Sequence, residues 1–171
     1  MKLIVATDSK NGIAKNGKIP WNCPQDMKFF RTMTIGETLI CGRKTFETFR
    51  SPLKMRKTVV VSSKTQPIEG VFAQNPNGVV IGGASIYEWA FANNRISEIF
   101  VSRISGDYEC DQFIKIPPSF VNVGNFVISE GCRVERYSYW PNWDQESKEQ
   151  LLENINGQLG ITSLKGGALV L

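Results

Sequence analysis

Val79-Val80-Ile81-Gly82-Gly83-Ala84-Ser85-Ile86-Tyr87 reads as a short apolar strand that ends in paired glycines and feeds a helix. The glycines remove side chains where the chain turns, and free N–H groups at the new helix's start favour an anion there. A second junction of the same kind stands at Leu39-Ile40-Cys41-Gly42-Arg43-Lys44-Thr45. Its helix would open on two cations, an unfavourable choice for a first turn unless a phosphate offsets them. Taken singly, Gly82-Gly83 is also what a tight turn needs, and Arg43 and Lys44 are also what a solvated surface carries. Two such junctions in one small domain point to a dinucleotide.

Outward from these junctions, short strand-like runs appear at 2–6, 38–41, 58–62, 78–81, 98–104, 125–130 and 134–140. Helices fit between them. One starts at Pro24 and runs to about Thr34, with Met27, Phe30 and Met33 on one side. A second follows Gly42, carries Phe46 and Phe49, and is stopped by Pro52; a third follows Gly83 with Tyr87, Ala90 and Phe91 as its apolar stripe. Alternating strands and helices imply an α/β domain with a mixed, mostly parallel sheet of about eight strands, closed by an antiparallel C-terminal strand. The domain is expected over 1–140, and 141–171 reads as an extension of unknown role with a helix from Asp144 to Asn156.

Composition narrows the chemistry. The 171 residues include no His, which excludes Ser-His-Asp and Cys-His nucleophile systems and the HExxH protease site. Acid–base work must fall to a carboxylate, Lys, Tyr or thiol. Cys23, Cys41, Cys110 and Cys132 form no CxxC pair, so neither zinc nor a dithiol motif is expected. The net charge of +4 suits an anionic small molecule, and no basic stripe with interleaved aromatics argues for nucleic acid. No signal peptide or membrane-spanning run is read, so the expectation is a soluble cytoplasmic chain with reduced thiols.

The candidate acid is Asp26, in Ile19-Pro20-Trp21-Asn22-Cys23-Pro24-Gln25-Asp26-Met27-Lys28-Phe29-Phe30. An acid in a first helical turn is favoured by the dipole whatever its function. Phe30 lies four residues on, however, so the carboxylate shares a face with an apolar ring and would point into a greasy wall. Such a group needs a partner, and a flat heterocycle with adjacent N–H donors would supply one bidentately. The loop Asp8–Lys18 before it, with Gly12 and Gly17, reads as a lid or as an ordinary surface loop.

In combination, an Ile-Pro-Trp after a glycine-bearing loop, an Asp five residues past the Trp, a Phe four further on, a Gly-Arg-x-Thr helix start and an Ile-Gly-Gly-x-x-x-Tyr block resemble the dihydrofolate reductase family over about residues 1–140. The resemblance implies NADPH-dependent reduction of dihydrofolate, with hydride passing to pterin C6 and a proton to N5. It makes Asp26 and Trp21 the catalytic residues. It implies that Ile4, Val5, Ala6, Phe30, Phe49, Ile81, Tyr87 and Ser102 line the substrate's place, with Arg56 gripping its carboxylate. On the cofactor's side it sets Ala6, Ile13, Ile19, Gly42, Arg43, Lys44, Thr45, Ser62, Ser63, Lys64, Ile81, Gly82, Gly83, Ala84, Ser85, Ile86 and Tyr87, with a cis Gly82–Gly83 peptide. Arg43, Lys44 and Lys64 favour NADPH over NADH. No metal is implied, and a monomer is expected, with dimerisation through the tail as the alternative.

Three departures stand out. Ala14 replaces the usual lid glycine, Ser51 and Ser85 stand where some members have a basic residue, and 64–78 reads as too short and broken for the usual intervening helix. Two other readings fit the scaffold: a pyrimidine reductase of the riboflavin-pathway type, and a catalytically lapsed dinucleotide- or pterin-binding subunit.

Overall fold

A computed structural model describes residues 1–64 and 66–140. In chain order the elements are β1 (Lys2–Thr7), β2 (Gly12–Ala14), α1 (Pro24–Thr34), β3 (Thr38–Gly42), α2 (Arg43–Glu47), β4 (Lys57–Val61), α3 (Ile68–Gln74), β5 (Val79–Gly82), α4 (Ala84–Ala92), β6 (Glu98–Ile104), β7 (Gln112–Phe113), β8 (Phe120–Ser129) and β9 (Cys132–Tyr139). Seven strands form one sheet in the order β4-β3-β5-β1-β6-β9-β8, against the expected eight or so. The short strands β2 and β7 pair with each other in a separate ribbon. The sheet is parallel from β4 to β6; β9 then pairs antiparallel with both β6 and β8.

Strand alternation builds two core layers. Leu3, Val5, Ile40, Val80, Ile99 and Val101 face α3 and α4, where Val71, Phe72, Ile86, Tyr87 and Ala90 cover them. Ile4, Leu39, Cys41, Val79, Ile81, Phe100 and Val134 face the other way, against Phe29, Phe30 and Met33 of α1. Covered on both faces, the central strands read as continuous apolar runs, as Val79-Val80-Ile81 does.

Three local expectations are corrected. Residues 64–78 do contain a helix, α3, with Val71 and Phe72 buried. Pro67 sits at its N-cap and Pro76 lies beyond its end, both places where proline costs a helix nothing. Helix α2 ends at Glu47, before Phe49 and Pro52, with the Thr48 N–H turning back to the Thr45 carbonyl. In α1 the inward stripe is Asp26, Phe29, Phe30 and Met33 at i, i+3, i+4 and i+7, so Met27, expected on that stripe, stands 60% exposed. The extension 141–171, including the expected helix from Asp144, lies outside the described residues. Among the described residues, no helix is long and apolar enough to cross a membrane.

One irregularity opens the sheet. β1 and β5 are paired at only two positions, Lys2 with Val79 and Leu3 with Val80. Beyond them the Ile4 carbonyl takes the Tyr87 hydroxyl, 3.1 Å away. The carboxyl ends of these neighbouring parallel strands thus part, which is where open α/β sheets place their ligands.

Candidate active site

The acidic end of the cleft is built by the first turn of α1. Pro24 opens the helix, where its missing N–H costs nothing, and Cys23 is the extended N-cap. Asp26 therefore projects along the same face as Phe30 and is 9% exposed. Burial pushes its carboxyl above the usual range, and the Ser102 hydroxyl opposes that rise. Ser102 is itself buried on β6, and its Oγ makes no full hydrogen bond among the described residues. A buried carboxylate with no cation beside it among the described residues, next to a buried hydroxyl that lacks a full partner, suits a ligand that brings donors and acceptors.

Arg56 stands at the far end of α1. Its guanidinium lies 5.8 Å from the Phe30 ring centroid. Its Nη1 donates to Thr34 Oγ1 (3.1 Å) and its Nε to the Lys54 carbonyl (3.2 Å). Neither contact uses Nη2, so the fork is oriented but retains donors for a carboxylate. Partial burial and the neighbouring Arg31 lower its pKa. Thr34, which orients it, is fully buried and donates to the Phe30 carbonyl at 2.6 Å. The sequence reading missed Thr34, which there is only the last residue of a helix.

The two glycine junctions meet. A Cβ on Gly83 would stand 3.3 Å from Thr45 Oγ1, and one on Gly42 would stand 3.3 Å from Ile86. Gly82 has φ +118°, in the region that favours glycine, and the Gly82–Gly83 peptide is cis as the resemblance implied. No side chain caps α2 or α4, and neither carries an acid in its first turn. Close glycines and two helix starts thus leave a cradle open to an anion. Lys44, Ser63 and Lys64 are exposed around it, while the Ser62 hydroxyl accepts a 3.4 Å bond from the Lys64 N–H. Arg43 also lies exposed near the cradle, paired with Glu47 four residues on at 2.9 Å. An exposed pair of this kind offsets the charge only modestly, and the glycines do most to open the cradle to a phosphate.

Strand alternation sorts the remaining candidates. Ile4, Phe30, Phe49 and Ile81 share one apolar cluster on the α1 side, and Ala6 packs with Trp21, Cys23, Ile104 and Cys132 at its edge. Val5 does not belong there; its side chain points into the opposite layer, so it offers the cleft only backbone. Tyr87, expected to contact both ligands, is 4% exposed with its hydroxyl committed to Ile4. A Cβ on Gly82 would come within 3.0 Å of that hydroxyl, so the ring braces the glycine turn from behind. Ile86 is buried against Gly42, Ala84 is half-buried and Ser85 is exposed.

In the loop Asp8–Lys18, Ile13 and Ala14 on β2 are half-buried, and Ile19 just beyond it is 59% exposed. Trp21 is 9% exposed and meets the Tyr108 ring edge-on, centroids 5.4 Å apart. The Asn16 N–H donates to Asp111 at 2.7 Å. Tyr108 and Asp111 were not singled out from sequence, since nothing local to 105–111 announces that it packs on a segment about ninety residues earlier.

This geometry agrees with comparisons to known proteins. A family model described as dihydrofolate reductase matches residues 1–124. A dihydrofolate reductase of Staphylococcus aureus is 32% identical over 128 residues, covering 69% of this chain and 78% of its own length. One from Cryptococcus neoformans is 26% identical over 198 residues, covering 85% of this chain and 86% of its own. Among solved structures, dihydrofolate reductase from Enterococcus faecalis, complexed with NADP(H) and RAB-propyl, superposes with a TM-score of 0.71 at 27% identity, covering 81% of this chain and 95% of that one. With the family model matching residues 1–124 and a relative 32% identical over 69% of this chain, the chain belongs to the dihydrofolate reductase family.

Proposed function

We propose that this chain reduces 7,8-dihydrofolate to 5,6,7,8-tetrahydrofolate, with NADPH as reductant and the residues above in the roles that follow. One observation carries the reading: Asp26, a carboxylate buried on an apolar stripe with no cation beside it among the described residues, next to Ser102, which pairs with Ala6 near the carboxyl end of β1. NADPH supplies the hydride when bound. The cradle of Gly42, Thr45, Gly82 and Gly83 suits its diphosphate, since a Cβ at Gly42 or Gly83 would narrow that space. Lys44 and Lys64 provide positive charge for the additional phosphate that distinguishes it from NADH.

Asp26 accepts the amino and ring N–H donors of the pterin edge, a bidentate match for a carboxylate. Its negative charge raises the basicity of N5 across the ring. Because a carboxylate held at the far edge cannot touch N5, the proton arrives by water admitted beside Trp21. Ile4, Phe30, Phe49 and Ile81 exclude other water from the ring, and Arg56 holds the glutamate carboxylate outside. Fixing substrate in a near-attack arrangement is worth about 7–11 kcal/mol in well-oriented reactions.

All of these residues lie within 1–140, so we assign catalysis to that unit and to a single chain. All four cysteines are free thiols, which suits a reducing compartment such as the cytoplasm. The test is the loss of NADPH absorbance on adding dihydrofolate. Oxidation that depends on both is expected; a chain that binds either without turnover would instead be a lapsed binding subunit.

A further inference from the structure

The base of the lid is held by a carboxylate that the mechanism does not use. Asp8 directly follows β1 and is 0% exposed. Its Oδ1 accepts the N–H groups of Lys10 (2.9 Å) and Gly12 (2.8 Å), closing a turn within the lid. Its Oδ2 accepts the N–H of Tyr108 at 3.2 Å, a hundred residues away. The Cys110 thiol adds a further donor. Burial pushes the carboxyl up, but these donors together outweigh it and hold it below the usual range. The approach is close: a Cβ on Gly12 would lie 2.6 Å from Cys110 Sγ and 2.9 Å from Asp8 Oδ2.

The two oxygens therefore do different work, one shaping the lid's own turn and the other crossing to the 105–111 segment. Tyr108, fastened by its backbone, sets its ring against Trp21 at 5.4 Å and 67°. Other ties between these segments include the backbone bonds from the Ser9 N–H to the Gly106 carbonyl (3.0 Å) and from the Asp111 N–H to the Ala14 carbonyl (2.9 Å), and the Asn16 N–H bond to Asp111. The exposed ion pairs of Lys10 with Asp107 and Lys15 with Glu109 contribute little. None of these ties is made by Tyr108. We infer that Asp8 is a positioning residue: through Oδ2 and the Tyr108 backbone it sets where Trp21 stands at the cleft, and hence how the substrate is held for reaction. This rests on the proposed function.

Asp8→Asn separates the two jobs. The amide oxygen can still serve Lys10 and Gly12, while the NH₂ faces the Tyr108 N–H as a second donor. The experiment is single-turnover oxidation of NADPH by dihydrofolate on the full chain, with steady-state KM values, for wild type, Asp8→Asn, Tyr108→Ala and the double variant. Each single variant is expected to slow the reaction about tenfold, as small misplacements do, with both KM values within about twofold. The double variant should be no slower than the worse single, because both changes cut one connection.

Independent losses that multiply, a loss seen only in KM, or Asp8→Asn at the wild-type rate would overturn the inference. Should Asp8→Asn fail to fold, Tyr108→Ala at the wild-type rate would do so alone. Amide exchange reads the link without substrate: Asp8→Asn should speed exchange at Tyr108 and leave Gly12 protected, and unchanged exchange at Tyr108 also refutes it. A wild-type chain that ignores dihydrofolate would strike the proposed function rather than this link.

Discussion

Replacing Asp26 with Asn should move activity and stability in opposite directions. In the wild type, burial raises the carboxyl's pKa and only the Ser102 hydroxyl opposes it. An acid whose pKa is raised by folding contributes stability that is fully present below its unfolded value, and that stability is lost as pH rises through the folded value. Above its folded value the ionised Asp26 therefore strains the unliganded fold, and Asn relieves it. The melting temperature of Asp26→Asn should match wild type in acid and exceed it above the carboxylate range, each 1 kcal/mol appearing as about 2–4 °C. Activity falls for the same reason. Two charge-assisted hydrogen bonds, each worth about 1.5–3 kcal/mol, become one neutral bond and one clash of donors. The net loss of about 2–4 kcal/mol corresponds to about 30- to 1,000-fold in kcat/KM. Parallel melting curves and NADPH-oxidation assays across pH measure both. An Asn variant that is both less stable than wild type across the whole pH range and fully active would refute the reasoning, because it would mean that Asp26 is a satisfied structural acid.

Three further outcomes follow from the same geometry. Arg56→Leu should raise the KM for dihydrofolate by about ten- to a hundredfold with kcat little changed, as expected for a lost charge-assisted bond far from the reacting atoms; a fall in kcat alone would remove Arg56 from substrate binding. Lys44→Ala with Lys64→Ala should raise the KM for NADPH about two- to tenfold and leave that for NADH unchanged, since exposed charges each contribute modestly; equal effects on both cofactors would place the extra phosphate elsewhere. Phe72→Ala, which empties a site 1% exposed beside the Trp89 ring, should cost about 3–5 kcal/mol of stability by urea unfolding. Activity per folded molecule should be unchanged, and a kcat that fell with it would tie the α3 layer to the cleft.

What was legible in the sequence was what local chemistry decides. Val79-Val80-Ile81 reads as an enclosed strand, Pro24 as a helix start, and Gly42 and the Gly82-Gly83 pair as tight junctions. Asp26 was legible because its spacing to Phe30 holds whatever the rest of the chain does. The stripe of α1 was misjudged by one position because Met27 is apolar and Asp26 is not, whereas the fold buries the acid and exposes the methionine. The helix α3 was hidden by Pro67, Gly70 and Pro76, since breakers at the edges of a helix look like breakers within it. Val5 required knowing which face of β1 meets α1. The partners Thr34 with Arg56, Tyr87 with Ile4 and Tyr108 with Asp8 join residues 22, 83 and 100 positions apart, and no pattern along the chain announces such bonds.

The central claim is that Asp26 and the glycine cradle bring dihydrofolate and the nicotinamide together for direct hydride transfer. Incubation with dihydrofolate and NADPH carrying deuterium at the transferring position of nicotinamide C4, followed by mass spectrometry and NMR of the product, tests it most directly. The account predicts tetrahydrofolate bearing one deuterium at C6. NADPH oxidation with no deuterium in the pterin, or no oxidation at all, would contradict it.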